Sequence, residues 1–133
     1  MKEQVFSASI DCLQDVLSLI EQELEAVDCP MRTTIQISVA AEEIFANIAR
    51  YAYPESGGTA VIRIEADEHE TVIRFTDTGI PFNPLEKPDP DISLPVEQRE
   101  AGGLGIYMVK KTMDEVTYQR DGHNNILTIV KRY

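Results

Sequence analysis

The amino-acid sequence predicts an α+β fold, a two-layer sandwich with helices on one face of a mostly antiparallel sheet. Three observations predict it. Apolar residues recur at helical spacing in long segments, they alternate at strand spacing in short ones, and acidic or glycine-bearing turns join neighbouring strands as hairpins. Stacking one layer on the other buries each apolar face once. With 133 residues, 1–133 is read as one domain, large enough to bury a core without staples.

Residues 3–8 are read as a strand, since Val5-Phe6-Ser7-Ala8 carries strand formers before the period changes. From Ile10 the spacing of Leu13, Val16, Leu17, Ile20, Leu24 and Val27 is helical, and Pro30 punctuates its end. A second helix runs from about Thr33 to Tyr51, until Pro54 and Gly57-Gly58 stop it. Alternation over 60–66 and 72–76 gives a hairpin closed by Asp67-Glu68-His69-Glu70. Residues 80–101 hold Pro81, Pro84, Pro88, Pro90 and Pro95 with little periodicity, and are read as loop. An aperiodic stretch of that length is a functional lid or a linker, and the glycine motifs on both flanks favour the lid. Helix resumes over 104–113, and strands at 116–119 and 126–130 flank an Asp121-Gly122 turn. There is no internal repeat and no low-complexity segment.

A net charge of −11 repels phosphate backbones and anionic lipid, so no direct nucleic-acid or membrane partner is expected, while a basic partner fits. No apolar run approaches the roughly 20 residues of a membrane-spanning helix. No charged-then-apolar leader precedes the first helix, and the cytoplasm is the expected compartment. Cys12 and Cys29 lack metal-knuckle spacing and are read as buried, reduced thiols. His69 and His123 fall in turns and are read as surface residues.

The chemistry concentrates in three places. Glu43, Asn47 and Arg50 interrupt an otherwise apolar helix and span roughly 60° of its circumference, opposite Ile37, Ala41, Ile44 and Ile48. Glu43 and Asn47, one turn apart, suit a general base and an amide-oxygen metal ligand sharing one space, and Arg50 suits phosphate oxygens. A solvated helix face is the plainer alternative. Asp77-Thr78-Gly79 ends a strand, where a carboxylate accepts from an exocyclic amine and a glycine admits a flat base; a simple turn explains it equally well. Gly102-Gly103-Leu104-Gly105 opens a helix, an arrangement that suits phosphate or is an ordinary loop.

In this order the motifs resemble the ATP-binding domain shared by DNA gyrase, the large heat-shock chaperone, histidine kinases and MutL. The chain resembles more closely its short branch, the bacterial anti-sigma factor serine/threonine kinases. Ala41 to Tyr53 is similar to the family's N-box helix and Gly103 to Val109 to its second glycine box, and the likeness covers nearly the whole chain. Where the switch kinases often carry His-Gly-Tyr after the N box, this chain has Tyr51-Ala52-Tyr53.

The resemblance implies a histidine-kinase-like ATPase fold with ATP and Mg²⁺ as cofactors. It implies Glu43 as catalytic base, Asn47 as the Mg²⁺ ligand, Asp77 on the adenine amino group and Gly79 at the first glycine box. Gly102, Gly103, Leu104 and Gly105 fall at the phosphate-side glycine box, Arg50 near the phosphates, and residues 82–101 at the ATP lid, where Lys87 and Arg99 supply the positive charge. The implied function is a protein serine/threonine kinase and anti-sigma-type transcription regulator that phosphorylates a small STAS-type anti-anti-sigma partner, also binds a sigma factor, and is compatible with a homodimer. A non-catalytic, nucleotide-gated module that sequesters a sigma factor or another regulator is the alternative. The catalytic half of a histidine kinase fits less well, because no phosphoacceptor helix is present.

Overall fold

In the computed structural model the described residues are 1–86, 88–89, 93 and 104–133. The chain begins with strand β1 (Lys2–Ser7), a 3₁₀ turn (Ile10–Cys12) and helices α1 (Leu13–Ala26) and α2 (Met31–Asn47). A π-helical turn (Ile48–Ala52) extends α2 and leads to the hairpin of β2 (Thr59–Ala66) and β3 (Glu70–Asp77). Then come a 3₁₀ turn (Pro84–Glu86), helix α3 (Leu104–Thr112) and the hairpin of β4 (Glu115–Asp121) and β5 (Asn124–Arg132).

The sheet has five strands in the order β1-β2-β3-β5-β4, every pair antiparallel. β5 therefore lies inside, against β3, and its hairpin partner β4 forms an edge. Asp77 at the end of β3 falls opposite Asn125 at the start of β5, a register on which the site depends.

One face of the sheet meets the helices. Ile62, Ile73, Phe75 and Ile129 pack against Val16 and Ile20 of α1, Ile37 and Phe45 of α2, and Val109 of α3, all essentially inaccessible to solvent. Burying each such side chain contributes about 1.5–3 kcal/mol of transfer free energy. The stripe Ile37, Ala41, Ile44 and Ile48 predicted to pack is buried throughout.

Most element boundaries shift by a few residues from the sequence reading, and four differences have a plain physical cause. α2 begins at Met31, because Pro30 accepts Thr34 N–H at 2.9 Å and so supplies the first helical bond itself. It departs from α-helix at Ile48, and the widened turn presents the Ala52 carbonyl to Ile80 N–H at 2.9 Å, tying the helix end to the end of β3. Within the predicted loop, Asn83 Oδ1 accepts from Leu85 N–H at 2.9 Å and opens a 3₁₀ turn. The β4–β5 turn falls at Gly122-His123, with Gly122 at φ +60°, a conformation that favours glycine. Cys12 and Cys29 are unpaired thiols, half-buried rather than buried.

Candidate functional site

The end of β3 is held by a closed set of hydrogen bonds. Asp77 is 5% exposed, and its Oδ1 accepts from Gly79 N–H at 2.9 Å and from Asn125 Nδ2 at 2.9 Å. Among the described residues no fully buried side-chain nitrogen or oxygen lacks a partner, and both bonds to Asp77 fall on Oδ1. Oδ2 is thus left to the cleft, an acceptor with room for a donor from a ligand.

Asn125 supports this carboxylate from the next strand. Its Nδ2 also donates to the Ile80 carbonyl at 2.8 Å, while its Oδ1 accepts from Tyr118 Oη, from Arg120 Nη1 at 3.1 Å and from Phe82 N–H at 3.4 Å. Arg120 Nη1 donates to the Gly79 carbonyl at 2.9 Å as well. Tyr53, in the aromatic tail after α2, accepts Thr78 N–H at 2.9 Å and donates to the Thr59 carbonyl at 2.6 Å. Its ring occupies the space a side chain on Gly58 would fill, 2.3 Å from the nearest ring carbon.

Gly79 is required on steric grounds. A Cβ there would lie 2.2 Å from the Ala52 carbonyl oxygen. The cleft beside these residues has apolar walls from Ile44, Ile48, Phe75 and Leu127, with Asn47, Asp77, Tyr118 and Asn125 as its polar groups. A flat, largely apolar ligand with one donor toward Oδ2 matches that lining. Phe82 also lines it and packs its ring against Tyr51 at 5.6 Å.

Asn47 lines the same cleft, and Glu43, one turn earlier on α2, lines a second groove between α2 and α3. Asn47 Nδ2 donates to Glu43 Oε1 at 3.3 Å. Because a carboxylate only accepts, the amide nitrogen must face Glu43, which leaves Asn47 Oδ1 as the atom available to a cation. A single amide oxygen suits a hard divalent ion that keeps most of its ligands as water and phosphate. Among the described residues no group of three or more His, Cys, Asp or Glu could hold a metal ion.

Gly105, in the first turn of α3, lies directly over Glu43: a Cβ there would be 2.1 Å from Glu43 Cδ. Arg50 is exposed and borders the α2–α3 groove with Glu43, Leu104 and Gly105, although it stands on the π turn rather than on continuous α-helix. The structure thus brings Glu43, Asn47, Arg50, Leu104 and Gly105 together, and Asp77 with Gly79 at the adjoining cleft. Gly102, Gly103, Lys87 and Arg99 lie outside the described residues, as does most of the predicted lid; of the part described, Asp89 pairs with Lys110 of α3.

The model of the histidine kinase-like ATPase domain matches residues 6–131. The chain belongs to this family. Membership implies ATP as the ligand class. The chain is 33% identical over 95 residues to the serine-protein kinase RsbW of Bacillus thuringiensis (strain Al Hakam), and equally to that of Bacillus cereus (strain ATCC 14579). The match covers 68% of this chain and 59% of each relative, so the chain spans about three fifths of the length of the curated relatives it matches. In fold it is similar to the RsbU and RsbW domains of Rv1364c from Mycobacterium tuberculosis, with a TM-score of 0.66 over 99% of this chain and 32% of that one at 14% identity. The α+β fold predicted from sequence is the fold observed. No helix among the described residues is long and apolar enough to cross a membrane.

Proposed function

We propose that this chain is a cytoplasmic, ATP-dependent protein serine/threonine kinase of the anti-sigma type, whose substrate is a small STAS-type anti-anti-sigma protein and whose other partner is a sigma factor. One observation carries the reading: the Glu43 carboxylate is hydrogen-bonded to Asn47 and seated over Gly105, beside the helix start that suits phosphate. The serine-protein kinase relatives support the same assignment.

In this reading Asp77 orients adenine by accepting from its amino group through Oδ2, and the apolar walls exclude water from the ring. Asn47 Oδ1 holds Mg²⁺, and Arg50 with the N–H groups of the glycine box contacts the phosphates. Bound Mg²⁺ supplies neutralisation of phosphate charge. Glu43 accepts the proton of the incoming serine or threonine hydroxyl and so sharpens its attack on the γ-phosphorus.

Incubation of the protein with labelled ATP and candidate STAS-type proteins tests this directly, with label expected on the partner. Glu43→Gln keeps size and polarity but cannot take the proton, so transfer should fall on the order of 10²-fold at near-parent ATP affinity. Asn47→Ala should weaken Mg-ATP binding and transfer together. Transfer at the parent rate by Glu43→Gln would remove the base assignment. A parent protein that binds ATP and a partner but transfers nothing would leave the nucleotide-gated module as the function.

A further inference from the structure

We propose that the groove between α1 and α2, on the outer side of the helical layer, is a docking surface for a basic amphipathic helix of a partner protein. Helix α2 is apolar on two sides. Ile37, Ala41 and Ile44 face the core, while Met31, Ile35 and Val39 are 74%, 56% and 55% exposed. Four residues apart, these three form a single ridge about 12 Å long. A continuous line of large apolar side chains on a solvated helix marks a contact surface more than singly scattered ones do.

The opposite wall has complementary chemistry. Leu17, Glu21 and Glu25 stand on α1 at the same four-residue spacing, and Glu42 continues the acidic rim past Val39. No Lys or Arg is among the described residues lining the groove, and Glu21, Glu25 and Glu42 form no ion pair among the described residues. Glu21 meets only Ser38 Oγ, at 3.5 Å.

An apolar ridge at helical spacing beside unpaired carboxylates fits a helix that carries apolar residues on one stripe and Lys or Arg beside it. A ridge of just over two turns with the acidic rim beyond it suits an occupant of about 12 residues, too short to be helical alone in water, so it would order on docking. Charge excludes the other occupants. A second copy docked face to face would set carboxylate against carboxylate, and a chain of net charge −11 repels nucleic acid and anionic lipid. The proposal does not depend on ATP binding or transfer, so either can fail without the other.

A labelled helical peptide of about 14 residues, with a leucine stripe flanked by lysines, serves as probe, and its glutamate-for-lysine counterpart as control. Anisotropy titration with the full chain should show binding of the lysine peptide alone. The double variant Ile35→Gln/Val39→Gln, at exposed positions, should weaken it about tenfold. Glu21→Lys/Glu25→Lys should weaken it about tenfold, while Glu68→Lys/Asp121→Lys, an equal change in net charge at exposed positions outside the groove, should stay within about twofold. Methyl spectra should place the perturbation at Leu17, Met31, Ile35 and Val39. Equal loss from the two charge-reversal variants, parent affinity in the apolar variant, or perturbation confined to other surfaces would overturn the proposal.

Discussion

Asp77 and Glu43 are carboxylates a short way apart in the same candidate site, yet they are held in opposite ways. Asp77 is buried and receives a backbone N–H and the Asn125 amide, itself braced by Tyr118, Arg120 and the Ile80 carbonyl. Glu43 is half-exposed and has a single long bond from Asn47. The first arrangement is complete before any ligand arrives. Among the described residues the second leaves Asn47 Oδ1 and Arg50 without a hydrogen-bond partner, and in the proposed reading these two meet the ion and the phosphates. In the proposed reading, a rigid reader of the base beside an adaptable phosphate end would let one nucleotide be selected by shape while the reacting end adjusts during transfer.

The two glycines test this contrast most strongly. A methyl on Gly79 meets backbone, the Ala52 carbonyl oxygen at 2.2 Å, which nothing nearby can relieve without moving the junction of the π turn and β3. Gly79→Ala should therefore cost about 1–3 kcal/mol of stability and abolish nucleotide binding, measured by urea denaturation and calorimetry. A methyl on Gly105 meets the far end of a flexible side chain, Glu43 Cδ at 2.1 Å, and the carboxylate can swing aside. The helix gains up to about 1 kcal/mol in propensity from the same change, so Gly105→Ala should match the parent in stability to within about 1 kcal/mol. In the kinase reading it should still lose transfer on the order of 10²-fold, since the displaced group is the base. If Gly105→Ala proves the less stable of the two, the rigid and adaptable ends have been assigned the wrong way round.

The base-reading end can be loosened by a smaller step. In the proposed reading Asp77→Asn keeps the shape but presents an amide, half donor, to the adenine amino group, and ATP should lose its advantage over GTP by about tenfold or more. Asn125→Ala should act in the same direction through stability. It leaves Asp77, the Ile80 carbonyl and Tyr118 Oη each short of a partner, and about 1–3 kcal/mol should be lost in urea denaturation. Equal affinity of the parent for ATP and GTP would remove the base-reading role from Asp77.

The sequence was informative where one segment carries its own signal. Three residues on one helix face and an Asp-Thr-Gly at a strand end are local patterns, and periodicity located every helix and strand. Asn125 escaped because its importance comes from register across 48 residues, and an asparagine beginning a strand after a turn has an ordinary explanation. Tyr53 was noticed as part of an aromatic tail, but its bond to Thr78 N–H depends on how the π turn delivers it. Insertion of β5 between β3 and β4 was equally hidden, since a hairpin reads the same at a sheet edge or inside it. The exposed ridge on α2 was masked by the helical period itself, which records apolar residues without saying which of two faces the core will take.

The smallest effect is expected at the opposite end of β3, where Asp67 repeats the local geometry of Asp77 without its burial. Its Oδ1 accepts from His69 N–H at 2.7 Å and Glu70 N–H at 2.9 Å, and these bonds hold its carboxyl below the usual 3.8. A carboxyl whose folded pKa is lowered binds fewer protons in the native state than in the unfolded chain across that interval. Its stabilisation is therefore present above the unfolded value and is lost as pH falls through the folded one. Asp67→Asn should lower the urea midpoint slightly near neutral pH, and the gap from the parent should close as pH drops below the usual value, while nucleotide affinity stays unchanged at every pH. The same substitution at Asp77 should behave in the opposite manner, altering nucleotide preference. Two turns of like geometry at the two ends of one strand would then differ in consequence because only Asp77 is buried, braced from β5 and open to a ligand on its second oxygen.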